Sequence, residues 1–391
     1  MRRRTFLATS ALALCGASLH AGGADAAVWH SNASADRQRH PIDCAPVDVD
    51  WSRILRTTVG LRPHRDSGFV LRAEAFGEKT IIHNYGHGGA GMSLAWGTGS
   101  MAADLAAKHH SRRAAVIGCG SVGLTAARQL QHRGFIVTIY ARTVPPDTTS
   151  NMSVAGFTPA SGLVDAERRT PAWDQQFRKA AELSYRQLQR LAGRNYGVYW
   201  IDQFTATDDR EAASTRSDDG GLLSDVLRTG DREMLGPGEH PFPTMYAIRT
   251  PSLSIEPRLY LDRLVTDFRA AGGRIVIRAF ETADDVQTLR ERVIVNCTGL
   301  GSRTLFNDEE LVPVKGQLSL LTPQPEVRYR VNAHVVDAEG QVTNVSMNPR
   351  SDGIVIGNLQ ERGSWSLEPS DEVRDRNVAA AMQFFRAMRA T

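Results

Sequence analysis

The run VIGCGSVG, residues 116–123, constrains the fold more than any other part of this chain. Ala114 to Gly118 is a short apolar strand pattern, and Gly118, Gly120 and Gly123 follow at the spacing a strand-to-helix turn needs. The first glycine allows the tight turn, the second lets a ligand approach the backbone, and the third lets helix and strand pack closely. LTAARQLQHRG then sets Leu124, Ala127 and Leu130 at helical spacing before Gly134, and IVTIYA opens a second strand at Ile136. A strand, turn, helix and strand within about thirty residues predict a dinucleotide-binding unit, with the phosphates at the helix N-terminus, where free N–H groups favour anions. The acid that would hold an adenosine ribose after the second strand is missing. Arg142 stands there, where it could meet a phosphate, as in NADP sites, or face solvent.

Upstream lies a second glycine-dense stretch, HNYGHGGAGMSLAWGTG, residues 83–99, with six glycines in seventeen positions and His83, Tyr85 and His87 at its start. It reads as a ligand-facing loop. Downstream, YLDRLVTDFRAAGG carries Leu261, Leu264, Val265 and Phe268 on one helix face, RIVIRAF is strand-like, and VIVNCTGLG is a buried strand running into glycine. Residues 173–250 instead hold helical stretches and a polar loop, and residues 313–365 alternate like antiparallel strands. The predicted class is α/β: a Rossmann-type, mainly parallel nucleotide-binding domain whose pieces are separated by insertions that build an α+β second domain.

A chain of 391 residues, 41% of them apolar, is long enough for roughly two domains around a real core. Lys and Arg number 46 against 43 Asp and Glu, and Arg2, Arg3 and Arg4 carry that excess. Charge therefore gives no reason to expect nucleic acid or a membrane surface as partner. The N-terminus combines that arginine cluster with a short apolar region, interrupted by Gly16 and His20, and an Ala-x-Ala site at Ala24 to Ala26. This predicts a cleaved signal peptide over 1–26 and not a membrane span. Arg3-Arg4-Thr5-Phe6-Leu7 fits the twin-arginine signal, a route for folded, cofactor-loaded proteins, so a periplasmic or secreted location is expected. Cys44, Cys119 and Cys297 are odd in number and lack metal-ligand spacing, so neither a disulfide framework nor a metal site is expected.

HNYGHGGAGMSLAWG resembles the signature of the D-amino acid oxidase family of FAD enzymes. TVGLRPHRDSGFVLRAE, from Thr58, resembles the segment just before that signature, and TIYARTVPPDTTSNMSVAGF the second strand and Thr-rich flavin loop. PSLSIEPRLYLDRLVTDFRAAGGRIVIR and VIVNCTGLGSRTLF resemble the middle of the fold, and VPVKGQLSLL and IGNLQERGSW the part that follows. The order is rotated. In the usual member the glycine turn opens the protein and the signature closes it, whereas here the piece from about Val47 to Ala107 stands in front and residues 101–113 connect the former last helix to the former first strand. The resemblance implies a circularly permuted fold, which surface-lying, neighbouring termini allow. It divides the mature chain into 27–61 (linker and substrate domain), 62–157 (FAD), 158–250 (substrate), 251–312 (FAD) and 313–391 (substrate).

Residue by residue, the resemblance implies FAD with its pyrophosphate on Gly118, Gly120, Ser121, Val122 and Gly123. Arg142, Thr148, Thr149 and Ser150 would approach adenosine and phosphates, Ala155, Gly156 and Phe157 would run past the flavin, and Phe280 and Thr298 would contact the adenosine side. Gly88, Gly89, Ala90, Gly91, Met92 and Ser93 would line the isoalloxazine with backbone donors. Arg62 matches the arginine that binds the substrate carboxylate, for which a guanidinium fork is suited, and Gly89 would offer a carbonyl to the substrate amine. The implied reaction is oxidative deamination by hydride transfer to flavin N5 without a catalytic protein base, giving an imino acid, with oxygen as acceptor and peroxide as product. His83 and His87 are then loop-stabilising imidazoles. Two departures bear on the substrate: Ser346 stands where the family places a carboxylate-binding tyrosine, and Phe157-Thr158-Pro159 replaces a substrate-side glutamine. They leave FAD in place and keep other amines open as substrates, with an NADP enzyme or a non-catalytic nucleotide-binding protein as further alternatives.

Overall fold

The computed structural model describes residues 42–154, 156–211, 221–223, 227, 232–357 and 359–388. The segment 1–26 read as a signal peptide, and Ala155, lie outside the described residues. In chain order the strands are β1 (Ile54–His64), β2 (Val70–Phe76), β3 (Lys79–Tyr85), β4 (Arg113–Ile117), β5 (Ile136–Ala141), β6 (Val198–Thr207), β7 (Glu233–Leu235), β8 (Tyr246–Ile255), β9 (Arg274–Ile277), β10 (Val293–Asn296), β11 (Val312–Leu321), β12 (Tyr329–Val336), β13 (Val342–Arg350), β14 (Gly353–Ile356) and β15 (Glu361–Arg362). The helices are α1 (Gly91–Ala107), α2 (Ser121–His132), α3 (Pro171–Leu191), α4 (Pro257–Ala270), α5 (Ala283–Gln287), α6 (Ser302–Leu305) and α7 (Asp371–Arg386).

The smaller sheet runs β2-β3-β10-β4-β5-β9, parallel except for β2. Ala114 to Val116 and Val293 to Val295 are fully buried, as strands covered on both faces must be. The strand, glycine turn, helix and strand read from the sequence are β4, α2 and β5. The glycine-dense stretch is less a loop than expected: it is the end of β3, a single 3-10 turn at Gly88–Ala90, and the start of α1. Gly97 and Gly99 are helical and serve packing. A Cβ at Gly97 would stand 1.9 Å from the Ala180 carbonyl oxygen of α3, and one at Gly99 2.9 Å from the Ala126 amide of α2. The connector expected over 101–113 shrinks to 108–112, because Ala102, Ala103 and Ala106, helix-favouring and fully buried, carry α1 on to Ala107.

The larger sheet follows the order β1-β11-β14-β13-β12-β6-β8-β7, with β15 added to β11. The alternation read over 313–365 is its antiparallel run β11 to β14, closed at the far side by a parallel β12–β6 pair. One face carries Leu321, Val331, Ala333, Val345, Met347 and Ile356 against Phe384 and Phe385 of α7. Each of these side chains except that of Ala333 contributes about 1.5–3 kcal/mol by leaving water. The other face turns toward the nucleotide-binding sheet: a Cβ at Gly60 of β1 would be 2.8 Å from the Met152 Cβ. The domain boundaries expected at 61/62 and 250/251 fall inside β1 and β8, which continue unbroken because their ladders do: β1 pairs with β11 to His64, and β8 with β6 to Ile255.

Candidate active site

The two glycine-rich segments meet. A Cβ at Gly91, the first residue of α1, would lie 3.8 Å from Ser121 Oγ and 4.0 Å from Val122 Cγ2 at the start of α2. Thr125 Oγ1 of α2 also donates to the Ala95 carbonyl of α1 at 2.8 Å. Neither helix start is capped by a side chain, and neither first turn holds an acid, so two positive dipole ends converge on one place. In the turn itself Gly118 has φ +112°, and a Cβ on Gly123 would sit 2.1 Å from the Gly118 oxygen. No residue with a side chain fits either position.

Ser150 closes over this turn. Its Oγ accepts from the Ser121 amide at 3.0 Å and would stand 3.0 Å from a Cβ on Gly120. Thr148 is buried, while Thr149 and Arg142 are exposed just beyond β5. Ser93 ties α1 to the flavin-loop segment, donating to the Gly156 carbonyl at 2.9 Å and accepting from the Thr158 amide at 2.8 Å. Phe157 packs on Tyr185, ring centroids 5.0 Å apart. Phe280 lies edge-on to Tyr140 at the end of β5, and Thr298 bonds Asn296 and Ser302. Of the six residues expected to line the flavin with backbone donors, two are already used: the Gly89 amide faces the Gly162 carbonyl at 3.5 Å and the Ala90 amide donates to His87 at 2.9 Å. The second bond belongs to the 3-10 turn itself, the first to the segment carrying Gly162. The Met92 side chain belongs to the core, which leaves only its backbone for a ligand.

Arg62 projects from β1 beside this turn. Its Cδ and Nε lie 3.6 and 3.8 Å from where a Gly89 Cβ would be, and its guanidinium spreads over the backbone of Gly316, 3.0 to 3.1 Å from that glycine's missing Cβ. Nη1 is buried and has no hydrogen-bond partner. Burial pulls the group below its ordinary pKa. Ser346 lies on β13, where its Oγ accepts from Asn348 Nδ2 at 3.4 Å, and Asn348 Oδ1 in turn accepts from Arg330 Nε. Arg330 went unread in the sequence. It stands at a polar position of the alternating run RYRVNAHV, a pattern that reports a strand without saying what its second face meets.

His83 and His87 are built into the frame. His83 bridges Glu74, at 3.0 Å, and Asn296, at 3.0 Å. His87 stacks on Phe69 at 5.3 Å, bonds Thr98 Oγ1 at 3.1 Å, and is pushed down to about 3 by burial. Both rings are buried and hold partners within the frame, Glu74 and Asn296 for His83 and Thr98 for His87.

A family model described as FAD dependent oxidoreductase matches residues 13–105 and 113–391. The chain belongs to that family. It is 28% identical over 275 residues to a D-amino acid oxidase of Dugesia ryukyuensis, covering 68% of this chain and 74% of the relative. It is 30% identical over 263 residues to a D-amino-acid oxidase of Rubrobacter xylanophilus, covering 66% and 72%. Among solved structures it is similar to a glycine oxidase from Geobacillus kaustophilus, with a TM-score of 0.52 at 16% identity over 72% of this chain and 81% of that one. The cofactor is FAD. The residues present fit it: Gly118, Gly120 and Gly123 with the open start of α2 suit the pyrophosphate, and the uncapped start of α1 beside Gly89 and Gly91 suits the electron-rich edge of a flavin.

Proposed function

We propose that this chain is an exported FAD-dependent oxidase that deaminates D-amino acids. The observation that carries the reading is the Arg62 guanidinium, beside Gly89, with a buried Nη1 that has no hydrogen-bond partner among the described residues. A carboxylate is the ligand that fork fits, and one bidentate ion pair orients the α-carbon toward the glycine turn. FAD, when bound, would supply a two-electron acceptor for the α-hydrogen and its electron pair, with oxygen as the proposed final acceptor and peroxide as its product. The chain's own residues position: Arg62 holds the acid, the Gly89 carbonyl accepts from the amine, and Ser93 keeps Gly156 against α1. As the α-hydrogen departs with its electron pair the amine gives a proton to water, and the resulting imine is hydrolysed to the keto acid and ammonia. Neither buried histidine takes part.

The chain order we read as a circular permutation. It is supported by the family match breaking between residues 105 and 113, at the connector after α1, and by the upstream glycine segment lying against the Gly118 turn. The N-terminal arginine motif supports export. Ser346, in place of a carboxylate-binding tyrosine, favours a second reading in which the substrate is an amine-bearing acid other than the simple D-amino acids. One experiment separates these: purified protein, its flavin spectrum recorded, offered D- and L-amino acids and secondary amino acids with peroxide and keto acid both measured. Peroxide from D-amino acids alone supports the first reading. Flavin bleaching without peroxide points to another acceptor, and no bleaching with any amine removes both.

A further inference from the structure

We propose that Arg330 is a second anion-binding residue of the substrate pocket, so that the pocket takes an amine bearing two carboxylates. The proposal rests on the oxidase reading above and names its substrate class. On β12, Tyr329, Val331, Ala333 and Val335 face the α7 core, which puts Arg330 on the opposite face. Register places Arg330 beside Asn348, Asn348 beside Val355, and Val355 beside Leu320. Arg62 reaches over Gly316 of β11, on the same face as Leu318 and Leu320. Two guanidiniums thus stand on one face of one sheet, with the apolar strip Leu318, Leu320 and Val355 between them.

These are the two arginines among the described residues that keep a buried nitrogen without a partner, Nη1 in each case. Other well-buried arginines have acids: Arg65 holds Asp308 and Glu310, Arg350 holds Asp352 and Arg169 holds Asp174. Arg330 has none. Its Nε is occupied by Asn348, which Ser346 orients, and its guanidinium lies so close to Gly156 that a Cβ there would be 2.4 Å from Nη1. Its ionisable neighbour is Tyr199, whose hydroxyl donates to the Pro349 carbonyl, while Glu256 is taken by Ser351. A buried cation without a counter-ion is costly, and a carboxylate carried in by a ligand removes that cost. Gly156 also accepts from Ser93 of α1, so this second fork borders the same cofactor-facing segment as the first. The strip between them suits the methylenes that separate two carboxylates.

The test uses the holoenzyme, titrated with unbranched dicarboxylates from malonate to adipate and with monocarboxylates of equal length, following the absorption change of the bound flavin. The expected result is a dicarboxylate of one best length bound about 100-fold tighter than its monocarboxylate. Arg330→Met brings that ratio to about 3 or below, and Arg330→Lys, which restores the charge without the fork, recovers part of it. Turnover of D-aspartate and D-glutamate is compared with that of their side-chain amides in parallel. Equal affinity of wild type for both acid classes overturns the proposal, as does an equal loss on both in Arg330→Met. A dicarboxylate preference with no amine oxidised leaves this site standing and removes the oxidase reading instead.

Discussion

Arg62 and Arg65 stand three residues apart, one at the end of β1 and one in the loop that follows, and the protein treats them in opposite ways. Arg65 is saturated. Its Nε donates to Asp308 at 2.9 Å, its Nη1 to Ser67 and to the Gly68 carbonyl at 2.8 and 2.9 Å, and its Nη2 to Glu310. Asp308 is held further by the Tyr85 hydroxyl at 2.8 Å, so the loop is locked to the chain before β11. Arg62, equally removed from water at its Nη1, meets backbone glycines and no acid. A buried guanidinium used for structure has its donors filled; one reserved for a ligand keeps a donor open.

The largest expected effect tests the open end. Arg62→Met should lower kcat/KM for a carboxylate-bearing substrate about 1000-fold, roughly 4 kcal/mol, because the interaction is made with substrate alone. Its urea midpoint and flavin spectrum should match the wild type or improve slightly, since no internal partner is abandoned. Activity within threefold of wild type would break the comparison. Arg65→Met should show the reverse signature, a loss of about 3 kcal/mol of stability by urea unfolding from stranding two partly buried carboxylates, with KM nearly unchanged in the folded fraction. A KM change without a stability change would put Arg65 in the site.

Acidity tests the frame around the two arginines, through the buried histidines. His87 has its folded pKa pushed down to about 3, below the unfolded value, so the stability it gives is complete above the unfolded pKa and is lost as pH falls. Between pH 7.5 and 5 the loss should be about 2 kcal/mol, at 1.36 kcal/mol per unit. Burial also lowers His83, which adds in the same direction. His87→Phe, which keeps a ring to stack on Phe69, should flatten that slope, and an unchanged slope would relocate the titrating group. The smallest effect belongs to Arg362, half exposed and paired with Asp66, which it holds below the usual carboxylate range. Arg362→Ala should cost less than about 1 kcal/mol and less still in high salt.

What was legible in the sequence tracks how local each decision is. The β4–α2–β5 unit reads directly, since its glycine spacing and helical periodicity lie within one short stretch. The start of α1 was harder. Gly91, Gly97 and Gly99 lower helix propensity and argue for a loop, and only the close approach of Ala180 and Ala126 explains why glycine is tolerated, and required, inside a helix. Arg62 was placed through the family resemblance, whereas Arg330 stood in a segment read correctly as a strand. Nothing local to Arg330 told which face of that strand meets Gly156, or that Asn348 would be its neighbour.

The sequence by itself determined the cofactor cradle, because a phosphate-binding turn is made of neighbouring backbone groups, with glycine required at Gly118 by its positive φ and at Gly123 by close packing. Only the tertiary structure decided what that cradle faces. Strand register sets Arg62 over Gly316 and Arg330 beside Asn348, and a slip of a single residue in any of those strands would turn its side chain to the α7 core. Register is set by the summed burial of both sheet faces, a property of the assembled molecule that no one segment encodes.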